Sequence, residues 1–150
     1  MGIEKKEEDS KYYTPSIEEF RIGFECELLD KDNFKNGQIV PCWIKKIFNT
    51  NYNYYEGMIE RNSIRVKYLD SSDIESLGFI ESRYSGTNHA YFHNKNNDVR
   101  IEYLRHSHIL SVCTMDPSIN NVPETYSTSF YGTIKNISEL KVLLTQLGIQ

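Results

Sequence analysis

A chain of 150 residues, 39% hydrophobic and 25% charged, has the length of one domain and can bury about two thirds of its unfolded surface without disulfide or metal staples. Its formal net charge of −4 works against sequence-independent nucleic-acid binding, which needs surplus cations to neutralise phosphates. Cys26, Cys42 and Cys113 are odd in number and form no CxxC pair, so they read as reduced thiols of an intracellular protein. No apolar leader and no run of eighteen apolar residues occurs, and neither signal peptide nor membrane span is expected.

In chain order, the mixed charges from Glu4 to Asp9 predict a flexible arm over residues 1–11, with a single α+β domain over 12–150. Thr14-Pro15 and the Ser16 to Glu19 spacing suit one capped turn. From Arg21 the period becomes two: Ile22, Phe24, Cys26 and Leu28 face one way, Glu25 and Glu27 the other, which predicts a half-buried strand. A polar turn follows, then a strand from Cys42 to Phe48. The Asn- and Tyr-rich stretch from Asn49 to Gly57 reads as a surface loop and a contact surface.

Ile64 to Leu69 alternates again and leads into a short helix that Asp70 caps and Gly78 ends. Phe79 to Tyr84, His89 to His93, Val99 to Leu104 and Ile109 to Met115 are separated by turn residues and predict an antiparallel meander. A long link from Asp116 to Ser127 precedes a last strand, Phe130 to Ile134. The chain then closes with its most regular signal. Ile137, Leu140, Leu143, Leu144 and Leu147 follow the helical rhythm, Asn136 and Glu139 suit the first turn, and Gly148 suits the stop. The fold class expected is therefore α+β: an antiparallel β-sheet with a C-terminal amphipathic helix packed on one face, and short connecting helices.

Candidate chemistry is sparse. Glu25 and Glu27 share a face as paired carboxylates of a metal-dependent hydrolase do, but alternate glutamates also keep an edge strand soluble. Four histidines, His89, His93, His106 and His108, raise a metal site, with Glu102 as a further ligand. His89 and His93 are about 13 Å apart along a strand, however, and two solvated histidines in a turn explain the other pair. No metal and no cofactor is called for, and no nucleophile or phosphate-loop motif appears. Arg65, Lys67 and Tyr68 form a basic-aromatic strand of the kind that binds nucleotides or single strands on a sheet. Tyr52, Tyr54 and Tyr55 offer contact area with polar tips. The exposed sheet face, with Glu25 and Arg65, and the loop from Pro117 to Tyr126 complete the candidate surfaces.

Three segments together resemble the order found in small uncharacterised proteins of crAss-like and related phages of gut Bacteroidota. They are Tyr13 to Glu25, Val66 to Phe79 and Tyr131 to Leu140. The resemblance implies a virus-encoded protein made in the bacterial cytoplasm during infection, and it carries no catalytic residue. The leading expectation is an accessory protein that binds a host or viral protein and inhibits a host activity such as a defence system. Nucleic-acid or nucleotide binding on the sheet, metal-dependent hydrolysis and a virion component are the alternatives. Pairing of the sheet with a second copy stays open.

Overall fold

The structure is a computed structural model and describes residues 10–115 and 126–149. Most of the expected charged arm, and residues 116–125 of the long link, lie outside the described residues. Within the span expected as one domain the chain forms two compact units that meet in sequence at Tyr68 and Leu69. Each unit has its own core.

The first unit contains β1 (Tyr12–Tyr13), a 3-10 turn (Ile17–Glu19), β2 (Glu25–Asp30), a small hairpin of β3 (Phe34–Lys35) and β4 (Gln38–Ile39), β5 (Cys42–Ile47), α1 (Tyr52–Glu60) and β6 (Ile64–Lys67). Its main sheet is antiparallel in the order β1-β6-β2-β5. Residues paired across such a ladder point to the same side, so Tyr13, Val66, Ile64, Cys26, Leu28, Ile44 and Lys46 form one face. Tyr12, Lys67, Arg65, Glu25, Glu27, Trp43, Lys45 and Ile47 form the other. The first face buries Cys26, Leu28, Ile64 and Val66 with Phe20, Phe24, Phe48 and Tyr55. Burial, and then the charge of Glu27, pushes the Cys26 thiol up to about 11.

Two expectations change here. The strand begins at Glu25 rather than Arg21, because Gly23 turns the chain at φ +89° and leaves Ile22 80% exposed. And β2 is not an edge strand: it lies between β6 and β5, so its glutamates do not serve to keep an edge soluble.

The second unit contains α2 (Ser71–Ser76), β7 (Ile80–Glu81), β8 (His89–His93), β9 (Val99–Leu104), β10 (Ile109–Met115), β11 (Tyr126–Thr133) and α3 (Ile137–Gln146). The sheet order β11-β10-β9-β8-β7 follows the chain without a crossover. On α3 the leucines at 140, 143 and 144 are buried in one cluster with Phe92, Ile101, Tyr103, Leu110 and Val112 of the sheet, while Leu147 and Ile149 pack against its margin. The terminal helix therefore covers one sheet face, as its stripe predicts. Both helices are capped as their sequences suggest. Asp70 accepts from the Asp73 amide at 3.1 Å, and Asn136 accepts from the Glu139 amide at 3.0 Å. The Glu139 carboxylate reaches back to the amide of Lys135, one residue earlier than a standard capping box. Gly148 ends α3 at φ +70°.

Candidate functional site

The stretch expected as a Tyr-rich loop is helical from Tyr52. Asn51 starts it by accepting a hydrogen bond from the Tyr54 amide at 3.2 Å, and one side of the helix, at Tyr55, Met58 and Ile59, packs on the first core. The tyrosines then part company. Tyr55 is buried against Phe20 and Phe48, and burial pushes its hydroxyl up. Tyr52 packs edge-on against Phe48 and donates to the Phe20 carbonyl at 3.3 Å. Tyr54 turns outward, half exposed.

A helix of this kind is about 10 Å across, and strands lie about 4.8 Å apart. One helix therefore roofs about two strands of the four in the sheet. The buried roles of Cys26, Leu28, Ile64 and Val66 place that roof over β2 and β6. On the same face β5 is left open, with Ile44 37% exposed and Lys46 exposed. The step between roof and open strand is a cleft of ≈ 340 Å³. Leu28, Ile44 and Met58 contribute apolar surface, Tyr54 lies beside them, and Asp30, Lys31, Asp32, Lys46 and Arg61 add charges of both signs to the lining. The Asp30 carboxylate accepts from the Asp32 amide at 3.0 Å.

The hydrogen-bonding direction of β5 follows from its neighbours. The Phe48 amide donates to the Phe24 carbonyl at 2.8 Å, and the Phe48 carbonyl accepts from Gly23 at 3.1 Å. The Leu29 amide donates to Ser63 of the opposite neighbour at 2.9 Å. Backbone groups alternate in direction along a strand, so Cys42, Ile44 and Lys46 bond toward β2, while Trp43, Lys45 and Ile47 present their N–H and C=O groups outward. Among the described residues β5 is the end strand of its sheet, so three donors and three acceptors line an edge that none of them pairs with. Ile47 beside them is 66% exposed, and the preceding hairpin exposes Phe34, Ile39 and Val40.

Of the remaining sequence candidates, Arg65, Lys67, Glu25 and Glu27 sit on the other face of the same sheet. Arg65 reaches Glu27 at 2.7 Å, and its guanidinium lies between two rings, 3.7 Å from the centre of Tyr12 and 4.2 Å from that of Trp43. Lys67 pairs in register with Tyr12, Glu25 with Ile47, and Tyr68 stacks on Tyr13 at 4.7 Å. Arg65 and Glu27 are thus drawn together, but as partners of each other. Among the described residues no three of His, Cys, Asp and Glu come together to hold a metal ion.

No family model, curated protein or solved structure matches this chain. The fold and the open edge therefore carry the functional reading.

The histidines also separate. His89 lies 3.3 Å from Glu102. His108, expected to be solvated, is half-buried at φ 54°, with its Nδ1 3.0 Å from the Tyr103 hydroxyl. That hydroxyl donates its one proton to the Leu69 carbonyl at 2.6 Å, so Nδ1–H of His108 is the donor to Tyr103. Burial, then the charges of His106 and Lys135, lowers the His108 pKa.

The sequence reading counts Lys46 and Arg61 only among the basic residues suited to nucleic-acid binding, and it missed Asp30, Lys31, Asp32, Ile44 and Met58. Of these only Ile44 had a readable signal, as an apolar residue in an alternating strand. Their gathering into a cleft depends on how far α1 reaches across the sheet. Among the described residues no helix is long and apolar enough to cross a membrane.

Proposed function

We propose that this chain is a phage accessory protein that acts by binding another protein, of host or viral origin, in the bacterial cytoplasm, and that inhibition of a host activity is its effect. The observation that carries the reading is the open edge of β5, with exposed Ile44 and Ile47 on its two faces and the cleft beside Tyr54. An unpaired strand edge is a template for pairing with another chain, and proteins usually blunt it. Lys45 and Lys46 discourage self-pairing here, but they stand among exposed apolar side chains at Ile44 and Ile47, the composition of a contact surface rather than of a bare solvated edge.

The basic-aromatic face reads differently. Arg65 is held by Glu27 and two rings, which favours a structural role over phosphate recognition. The test compares wild-type protein with Ile44→Asp and Ile47→Asp, tagged and recovered from phage-infected cells. A specific partner, verified by reciprocal tagging, is expected with wild type and lost with both variants at unchanged melting temperature. Equal recovery with all three would remove the proposal.

A further inference from the structure

Resting on that reading, we infer the class of partner: an extended, acidic segment of another protein that joins the sheet along β5 as its next strand. Main-chain bonds in strand addition supply affinity, and alternate side chains supply selectivity. The outward groups of Trp43, Lys45 and Ile47 offer the main-chain ladder, and their spacing suits a segment of about five residues.

Selectivity follows from what each position of β5 presents. Trp43, Ile44 and Ile47 are apolar, and Lys45 and Lys46 are exposed cations. Side chains directly opposite on a shared face interact, with opposite charges favoured and like charges disfavoured. An antiparallel segment therefore reads, from the residue facing Ile47 to the one facing Trp43, apolar-acidic-acidic-apolar-apolar. The apolar residue facing Ile44 stands at the mouth of the cleft beside Tyr54 and Met58.

The same charges argue against a second copy as occupant. Two β5 strands paired over their full length around a two-fold axis bring Lys45 and Lys46 of both chains within two ladder positions of one another. Like charges that close are destabilising. A foreign acidic segment meets no such penalty, and this strip of β5 is basic in a chain whose net charge is −4.

The probe is a fluorescein-labelled peptide TVEEVVT, compared with TVKKVVT by anisotropy and followed by hydrogen exchange. The acidic peptide is expected to bind at least about tenfold more tightly than the basic one, with affinity falling as salt rises. The amides of Trp43, Lys45 and Ile47 should slow on binding. Lys45→Pro removes an outward N–H without touching the inner ladder, a placement that edge strands tolerate. It should lower affinity at least about tenfold, while Lys45→Ala, which keeps the N–H, should lower it less.

Equal binding of both peptides, no binding of either, or Lys45→Pro binding like wild type would overturn the inference. So would a dimer in sedimentation that Lys45→Pro dissolves, because the edge would then belong to a second copy. If Lys45→Pro fails to melt cooperatively, the exchange pattern of the wild-type complex decides alone. Loss of the cellular partner in the Ile44→Asp and Ile47→Asp variants, together with failure of the acidic peptide, would refute the strand-addition chemistry and leave the protein-binding reading standing. Failure of both would remove both.

Discussion

Arg65 offers a sharp test of whether the basic face of the first sheet binds a ligand or holds the fold. Its side chain is 17% exposed and that of Glu27 16%, with 2.7 Å between the bonded atoms. Removing one partner of a fully buried pair costs about 3–5 kcal/mol, whereas an exposed pair contributes about 0–1. The two ring contacts add about 0.5–1 kcal/mol each. With both side chains mostly shielded, Arg65→Met should destabilise the first unit by about 3 kcal/mol, since it retains the apolar stem but leaves the Glu27 carboxylate without this cation. Glu27→Gln keeps a neutral acceptor and both ring contacts, and should cost about 1–2 kcal/mol. In the double variant the losses should fall short of their sum by about 1–2 kcal/mol. Urea unfolding read by Trp43 suits the purpose, because this is the chain's single tryptophan and it lies against the guanidinium. Strict additivity, with coupling below about 0.3 kcal/mol, would refute the reasoning. So would an Arg65→Met protein as stable as wild type.

Two further perturbations probe the second unit. Leu140 is fully buried on the inner side of α3 and Leu144 nearly so, so Leu140→Ala should cost about 2–5 kcal/mol. Leu144→Asp should abolish cooperative unfolding of the unit, measured by tyrosine near-ultraviolet dichroism. The lowered pKa of His108 means that, below about pH 6.5, the unfolded chain takes up a proton more readily than the folded one. Stability contributed by the neutral ring is thus complete above that pH and lost as pH falls through the unfolded value toward the folded one. His108→Asn, which tolerates the positive φ, should flatten this part of the profile between about pH 7.5 and 5.5 in thermal melts. An unchanged slope would contradict the assignment.

Much of the fold was legible because its signals are local. β8, β9 and β10 occupy the spans that alternation and turn residues predict, and α2 and α3 begin at the capping residues Asp70 and Asn136. The errors arose where composition and period disagreed. Asn, Tyr and Gly around residue 52 suggest a loop, yet Tyr52, Tyr55, Met58 and Ile59 repeat at helical spacing, and burial of Tyr55 in an aromatic cluster outweighs weak propensity. Ile22 continued a period-two pattern past a glycine whose positive φ breaks the strand. The candidate site was less accessible still. That Arg65 faces Glu27 follows from the register of β6 on β2, and that β5 is an edge follows from strand order. Neither is written in any short window.

The two sheets also differ in the distance along the chain over which their strands find each other. In the second unit each strand pairs with its neighbour in sequence, so hairpins can form one after another, each closing a far shorter span than β1 to β6. In the first, β1 waits for β6: Tyr12 pairs with Lys67, at opposite ends of the unit. Closing that loop costs entropy before its contacts are formed, and non-local pairing slows folding. The second unit should therefore refold ahead of the first, although it leaves the ribosome later. During that interval the nascent first unit exposes strand edges on both sides of β2, and Lys45 and Lys46 on its partner strand act as gatekeepers against pairing with another unfinished copy.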